Sequence, residues 1–304
     1  MATARALELE PIPQSDQPRW WPTVRRALAF MAVLLVLCAM WEGYKAIGAA
    51  VDGTTPCGQR RMPICANDTS MPHLGNILRA LFEPPRRGSE EILLATLVKS
   101  ALFTWREAAA GFIFGSLFGF ALGALLGRFL LLERSLMPYI VASQTVPLLA
   151  IAPMIVIWGS RLNMPAWWSV AIISAYLTFF PVTINTLRGL RSPNPTAVEL
   201  MRSYAASEMQ MLWKLRLPAA LPYVFTALKV SASISIIGAI IGELPSGIPN
   251  GLGRVLLTFS YYYISGPEKL YAAIFGAALL GILFSVIVAQ IERVVLPEGR
   301  RLEG

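Results

Sequence analysis

Long apolar runs alternate with short charged islands along the whole chain. Runs close to the ~20 residues that cross hydrocarbon fall at about 27–49, 106–127, 138–158, 165–187, 222–244 and 269–291. The pattern predicts an all-α integral membrane protein with six transmembrane helices. Residues 1–26 are proline-rich, lack a helical apolar period and read as an N-terminal tail. The first transmembrane helix takes 27–49, and an outer loop with a short helix takes 50–105. A five-helix core occupies 106–292, with an inner loop at 188–221, and a second tail follows at 293–304.

The polar positions inside the runs are patterned too. In the second run, Gly111, Gly115, Gly119, Gly123 and Gly127 recur every four residues. That step leaves a slowly winding groove in which another helix can pack backbone to backbone. In the fourth run, Ser174, Thr178, Pro181 and Asn185 share one face. In the fifth, Ser231, Ser235, Gly238 and Gly242 repeat that spacing, with Glu243 beside them. The third adds Gln144, Thr145 and Pro147. Such stripes are tolerated at membrane depth against protein or against a wet cavity. They read either as interhelical contacts or as the lining of a solute pathway.

Composition sharpens this picture. Only 14% of the 304 residues are charged and 55% are hydrophobic, which excludes an ordinary soluble domain. The net charge of +8 reads as basic residues flanking membrane helices rather than as a nucleic-acid surface. Arg25 and Arg26 before the first run place the N-terminus in the cytoplasm, and alternation places 188–221 and the C-terminal tail there too. The outer loop, with Arg60, Arg61, Arg79, Arg86, Arg87 and Lys99, departs from that rule. A cleavable signal is the alternative for the first run, through "AFMAVLLVLCAM" and "AIGAA". The long tail before it, which contains acids, argues against cleavage.

Candidate chemistry is sparse. Glu42, Glu107 and Glu243 fall near expected run ends, and Lys229 lies where it can snorkel. No metal-ligand cluster, nucleophile elbow or P-loop signature is present. The chain therefore reads as no enzyme, with no catalytic or metal-binding residues and no cofactor of its own.

The inner loop contains "ELMRSYAASEMQMLWKLRLPAALP", which is too polar to cross a bilayer. Asn194 is placed to cap a helix opening at Pro195, and "SEMQ" at 207–210 fits a capping box for a second helix. Pro218 is expected to stop that second helix, and Pro222 to open the fifth run.

This stretch resembles the "EAA" loop of binding-protein-dependent ABC importer permeases: E-A-A, three residues, G, nine residues, I-x-L-P. Glu199 takes the E position, Ala205 the G position, Leu215 the I position, and Leu217 and Pro218 the closing L-P. Leu200 and Met201 replace the two alanines, and Ala205 replaces the glycine. "TLVKSALFTWREAAAGF", "VPLLAIAPMIVIWG", "FFPVTINTLRGLRS" and "GELPSGIPNGLG" are similar to the branch that serves nitrate, sulfonate, taurine, bicarbonate and pyrimidine precursors.

The resemblance implies a type I ABC importer permease-like fold in a bacterial inner membrane, with both termini cytoplasmic. It implies a second permease copy, as a homodimer, and two cytoplasmic ATPase subunits that bind ATP and Mg. It also implies a periplasmic or lipid-anchored solute-binding protein. The coupling residues would be Glu199, Leu200, Met201, Arg202, Ser203, Tyr204, Ala205, Ala206, Ser207, Leu217 and Pro218. The pathway residues would be Gln144, Thr145, Pro147, Ser174, Thr178, Asn185, Ser231, Ser235, Gly238, Gly242 and Glu243. A pyrimidine-, thiamine- or riboflavin-type nutrient is the favoured substrate class; nitrate, bicarbonate or a sulfonate such as taurine is the alternative. Cys57 and Cys65, in a loop facing an oxidising compartment, are either a disulfide or two free thiols. A secondary transporter is the rival class, although inverted repeats and intramembrane ionisable relays are not evident.

Overall fold

The computed structural model describes residues 21–52, 66–86 and 88–296, and among these every regular element is helical. Cys57 and Cys65 lie outside the described residues. The chain divides into two units, one ending at Leu74 and the other beginning at Gly75.

In the first unit, α1 (Trp21–Asp52) holds the apolar stretch Leu28–Val51, long enough to cross a membrane. Residues 66–74 are tied to its C-terminal half. Trp41 Nε1 donates to Pro72 O at 3.1 Å, Lys45 Nζ meets Asp68 at 2.5 Å, and Glu42 accepts from Leu74 N at 2.8 Å. His73 Nδ1 lies 2.8 Å from the other Glu42 oxygen. The Lys45 ammonium holds the Asp68 carboxyl below the usual carboxylate range.

The short α2 (Leu74–Ala80) begins on the last residue of the first unit, and the second unit continues through α3 (Leu93–Arg128), α4 (Leu130–Ser143), α5 (Leu148–Arg161) and α6 (Ala166–Leu190). Two loop helices follow, α7 (Pro195–Ser203) and α8 (Glu208–Met211). A π-helical turn, Leu212–Arg216, leads into α9 (Leu217–Ser246). The helices α10 (Leu252–Tyr261) and α11 (Pro267–Val295) complete the fold. Helices α3, α6, α9 and α11 enclose the main core around Ala108, Val170, Ala232, Ile236, Ala239 and Phe284.

Five helices are long and apolar enough to span a membrane, and the α4–α5 pair makes six if counted as one broken span. The third run, expected as one helix over 138–158, is two helices bent by 96°. Pro147 is the cause. It lacks an N–H and is itself extended, at ψ 114, so the chain turns at 144–147 before α5 starts.

Two other boundaries move. Helix α3 begins at Leu93 rather than at 106, which carries Glu107 away from a helix end and into the bundle. Pro218 does not stop a helix, and Glu208–Ser246 runs as one continuous span candidate. In the π turn before Pro218, Leu217 N reaches back five residues to Leu212 O. That wider turn relieves the clash a proline ring makes with the carbonyl four residues back.

The coupling loop and the helix seams as candidate functional site

The inner loop is built by local hydrogen bonds. Asn194 Oδ1 accepts from Thr196 N at 3.0 Å and starts α7 on Pro195. Ser207 Oγ accepts from Gln210 N at 3.3 Å, and Gln210 Oε1 accepts from Ser207 N at 2.9 Å, closing the capping box of α8. Between them α7 ends in a Schellman motif: Ala206 N bonds Met201 O at 3.0 Å, and Ala205 N bonds Arg202 O at 2.8 Å. Ala205 therefore adopts the left-handed conformation, at φ 54. An L-residue there costs roughly 1–2 kcal/mol, which glycine avoids. The position where the EAA pattern has glycine is the one where this backbone needs it.

The loop presents apolar side chains that the chain itself does not cover. Leu200 is 57% exposed, Tyr204 79%, Met209 58% and Trp213 62%, while Met211 is buried beneath. The two long side chains at 209 and 213 were not among the expected coupling residues. Their spacing of four on one helical segment was the available signal. Glu199, Arg202, Ser203, Ala205 and Ser207 are also exposed; Met201, Ala206, Leu217 and Pro218 are half-buried. At the same end of the bundle, Arg191 makes a two-pronged ion pair with Glu133, joining the end of α6 to α4.

The glycine stripe of α3 lies against α6. A Cβ at Gly111, Gly115 or Gly119 would come within 2.5 Å of Ala171 O, Ala175 O or Phe179 O respectively, and one at Gly123 within 2.7 Å of Thr183 O. At Gly127 the nearest atom would be a Leu190 methyl at 3.1 Å, so contact relaxes toward that end. Two backbones are in direct apposition over most of the stripe.

The stripes of α6 and α9 face each other. Ser174 Oγ donates to Ser235 O at 3.0 Å, and Ser231 Oγ lies 3.5 Å from Thr178 O. A Cβ at Gly238 would meet Ser174 Cα at 2.9 Å, and one at Gly242 would meet Ile173 at 3.1 Å. Ser174, Thr178, Ser231 and Ser235 are each fully buried. In this chain they form a seam rather than the wall of an opening, because two small-residue faces of equal period interlock. Asn185 is half-buried and donates to Pro181 O at 2.8 Å. Of the expected pathway residues, only Gln144, Thr145 and Pro147, on the bend between α4 and α5, are exposed.

Glu243 sits in a polar knot at the C-terminal end of α9. Thr104 Oγ1 donates to Glu243 Oε1 at 2.6 Å, and Gly253 N donates to Oε2 at 2.5 Å. Leu252 N donates to Thr104 Oγ1 at 2.8 Å. Three helices thus meet at one carboxyl; of the free N–H groups at the start of α10, it accepts that of Gly253 and the Thr104 hydroxyl accepts that of Leu252. Lys229 does not snorkel alone; its Nζ pairs with Glu292 of α11 at 2.9 Å. Among the described residues no three His, Cys, Asp or Glu side chains gather as metal ligands.

Comparison with known proteins places the chain. The model of the binding-protein-dependent transport system inner membrane component matches residues 113–297. The chain is similar to the formylaminopyrimidine transport permease protein ThiX of Halalkalibacterium halodurans, with 35% identity over 66% of this chain and 80% of that one. It is also similar to the putative aliphatic sulfonates transport permease protein SsuC of Bacillus subtilis, with 31% identity over 65% and 69%. Among solved structures, the inward-facing MetNI methionine ABC transporter aligns with a TM-score of 0.57 and 16% identity, covering 67% of this chain and 98% of that one. That last likeness concerns the fold, which is that of a type I ABC importer permease. A glycine seam, a capped inner loop at EAA spacing and a match over most of the core agree: this multi-pass membrane chain belongs to the binding-protein-dependent inner membrane permease family of ABC importers.

Proposed function

We propose that the protein is the pathway-forming subunit of an ATP-driven importer for a small polar nutrient of the pyrimidine or thiamine-precursor type. The 35% identity to the formylaminopyrimidine permease over four-fifths of that protein supports the substrate class most directly. Permeases of this family work with separate ATPase and binding-protein partners, so ATP and Mg belong to the partner here. Two copies of this chain form a homodimer, and both termini face the cytoplasm. A periplasmic or lipid-anchored binding protein delivers the solute.

Residues 199–210 couple the ATPase to the bundle. An exposed apolar loop with a fixed local fold is suited to docking, because little ordering entropy is lost when a partner covers it. The exposed bend at Gln144, Thr145 and Pro147 is the part of the expected route that can meet a solute between copies. Ser174, Thr178, Asn185, Ser231, Ser235, Gly238, Gly242 and Glu243 would enter the route only if the α6–α9 seam opens during the cycle. Sulfonate import is the second reading, favoured by the 31% identity to the sulfonate permease.

The test is uptake by proteoliposomes containing permease, ATPase and binding protein. Formylaminopyrimidine should enter in an ATP-dependent manner, uncompeted by an alkanesulfonate. Sulfonate uptake would select the second reading, and uptake without ATP would overturn both.

A further inference from the structure

We propose that Glu107 and Glu243 form a proton-binding site, in which one hydrogen held between the two carboxyl groups completes the knot that fastens α10. The inference does not depend on which solute is carried.

The two side chains come from distant parts of the sequence and are sealed together. Glu107 is 1% exposed and Glu243 0%. Thr104, one turn before Glu107 on α3, donates to Glu243 at 2.6 Å, which brings both carboxyl groups to the same knot, where they act on each other. Their surroundings differ sharply. Both Glu243 oxygens have donors, in Thr104 and Gly253. Neither oxygen of Glu107 has a donor from any other group. An ionised carboxylate can only accept hydrogen bonds, so two ionised groups here would leave Glu107 unsatisfied beside a like charge. In a sealed interior that arrangement is strongly unfavourable. One proton removes both problems: it cancels one charge and turns Glu107 into a donor to Glu243.

No other group can take the proton's place. Among the described residues Glu107 has no hydrogen-bonded cation, and the guanidinium of the adjacent Arg106 lies over the Trp167 ring, 5.2 Å from the centroid. Helix α6 has no charged residue between Ala166 and Arg188, and α11 has none between Lys269 and Glu292. Helix α10 contributes Arg254, which is exposed. On α9 the other charge is Lys229, already paired with Glu292. A hard metal cation takes about six to eight oxygens, and no third acidic or histidine side chain is gathered here.

The backbone is shaped to hold the group. A Cβ at Gly251 would overlap the Glu243 carboxyl, and one at Gly253 would fall 2.9 Å from Glu243 Cβ. The start of α10 therefore wraps closely around Glu243, and the bridged hydrogen links that wrapped carboxyl to α3.

Infrared spectroscopy of the full-length permease in membranes, with and without deuterium exchange, reads the proton directly. The wild type should show the carbonyl absorption of a buried protonated carboxyl, and E107Q should lack it. The glutamine amide still donates to Glu243, so E107Q should keep the wild-type Tm. As pH rises and the proton is lost, the wild-type Tm should fall while that of E107Q stays level. A wild-type spectrum without a buried protonated carboxyl would overturn the proposal, even if E107Q failed to fold. The same absorption surviving in E107Q would overturn it as well.

Discussion

The α3–α6–α9 seams and the inner loop at 195–216 are held together in opposite ways. In the seams, residues far apart in sequence interlock by shape. Gly115 of α3 touches the backbone of Ala175, and Gly238 of α9 touches Ser174. In the loop every fixing bond is local: Asn194 to Thr196, Ser207 to Gln210, Ala206 to Met201. The seams are buried and leave no room for a Cβ over most of their length. The loop leaves Tyr204 and Trp213 exposed. One region is a close-packed scaffold, and the other is a locally fixed surface with uncovered apolar side chains.

Substitutions should expose this contrast, beginning with the seam. Gly115→Leu would push a side chain into the Ala175 carbonyl and Thr178. Overpacking of a core costs 1–3 kcal/mol, and a backbone collision with no room to relax should reach ~3 kcal/mol or more. The expected result is loss of folded protein in detergent, read by size-exclusion chromatography and thermal unfolding. If Gly115→Leu folds normally, the backbone-to-backbone seam is refuted.

In the loop the effects are smaller and local. Ser207→Ala removes the capping box and should cost about 1 kcal/mol of local helix stability. Amide exchange at 207–211 should accelerate while exchange in α3 and α6 stays unchanged. Matching acceleration in the bundle would erase the distinction between the regions. Ala205→Gly should act in the other direction. It relieves the left-handed alanine at φ 54 and should slow exchange across 201–206, by up to ~1 kcal/mol after glycine's greater entropy loss is subtracted. A destabilised loop in Ala205→Gly would show that the turn is not strained.

The same contrast explains what could be read from the sequence. Local chemistry was legible: the Asn194 cap and the Ser207 box follow from neighbours a few residues away, whereas the glycine position at 205 came only from the resemblance to the EAA pattern. The α3 stripe was legible as a packing face, since period alone reveals a groove. Its partner was not, because nothing in a four-residue repeat says which helix fills it. For the same reason the Ser174 and Ser231 stripes left a route open as the second reading beside interhelical contact. Only three-dimensional placement shows them pressed on each other. Pro218 misled because a lone proline does not announce the π turn that accommodates it. Glu107 was placed near a helix end because the polar residues at 99–107 masked thirty-six residues of continuous helix in α3.

Docking of a separate ATPase on the loop is the central proposal, and Ala206→Trp tests it most directly. Ala206 is half-buried beside the exposed apolar residues and contributes little to the chain's own core. An indole there should leave the permease folded but overfill a packed interface by roughly 1–3 kcal/mol, and about 1.4 kcal/mol is already tenfold in affinity. The measurement is co-purification with the ATPase, together with ATP-driven uptake in proteoliposomes. The predicted result is a folded permease that loses its ATPase, or keeps it while uptake falls at least about tenfold. Wild-type assembly with wild-type ATP-driven uptake would contradict the account.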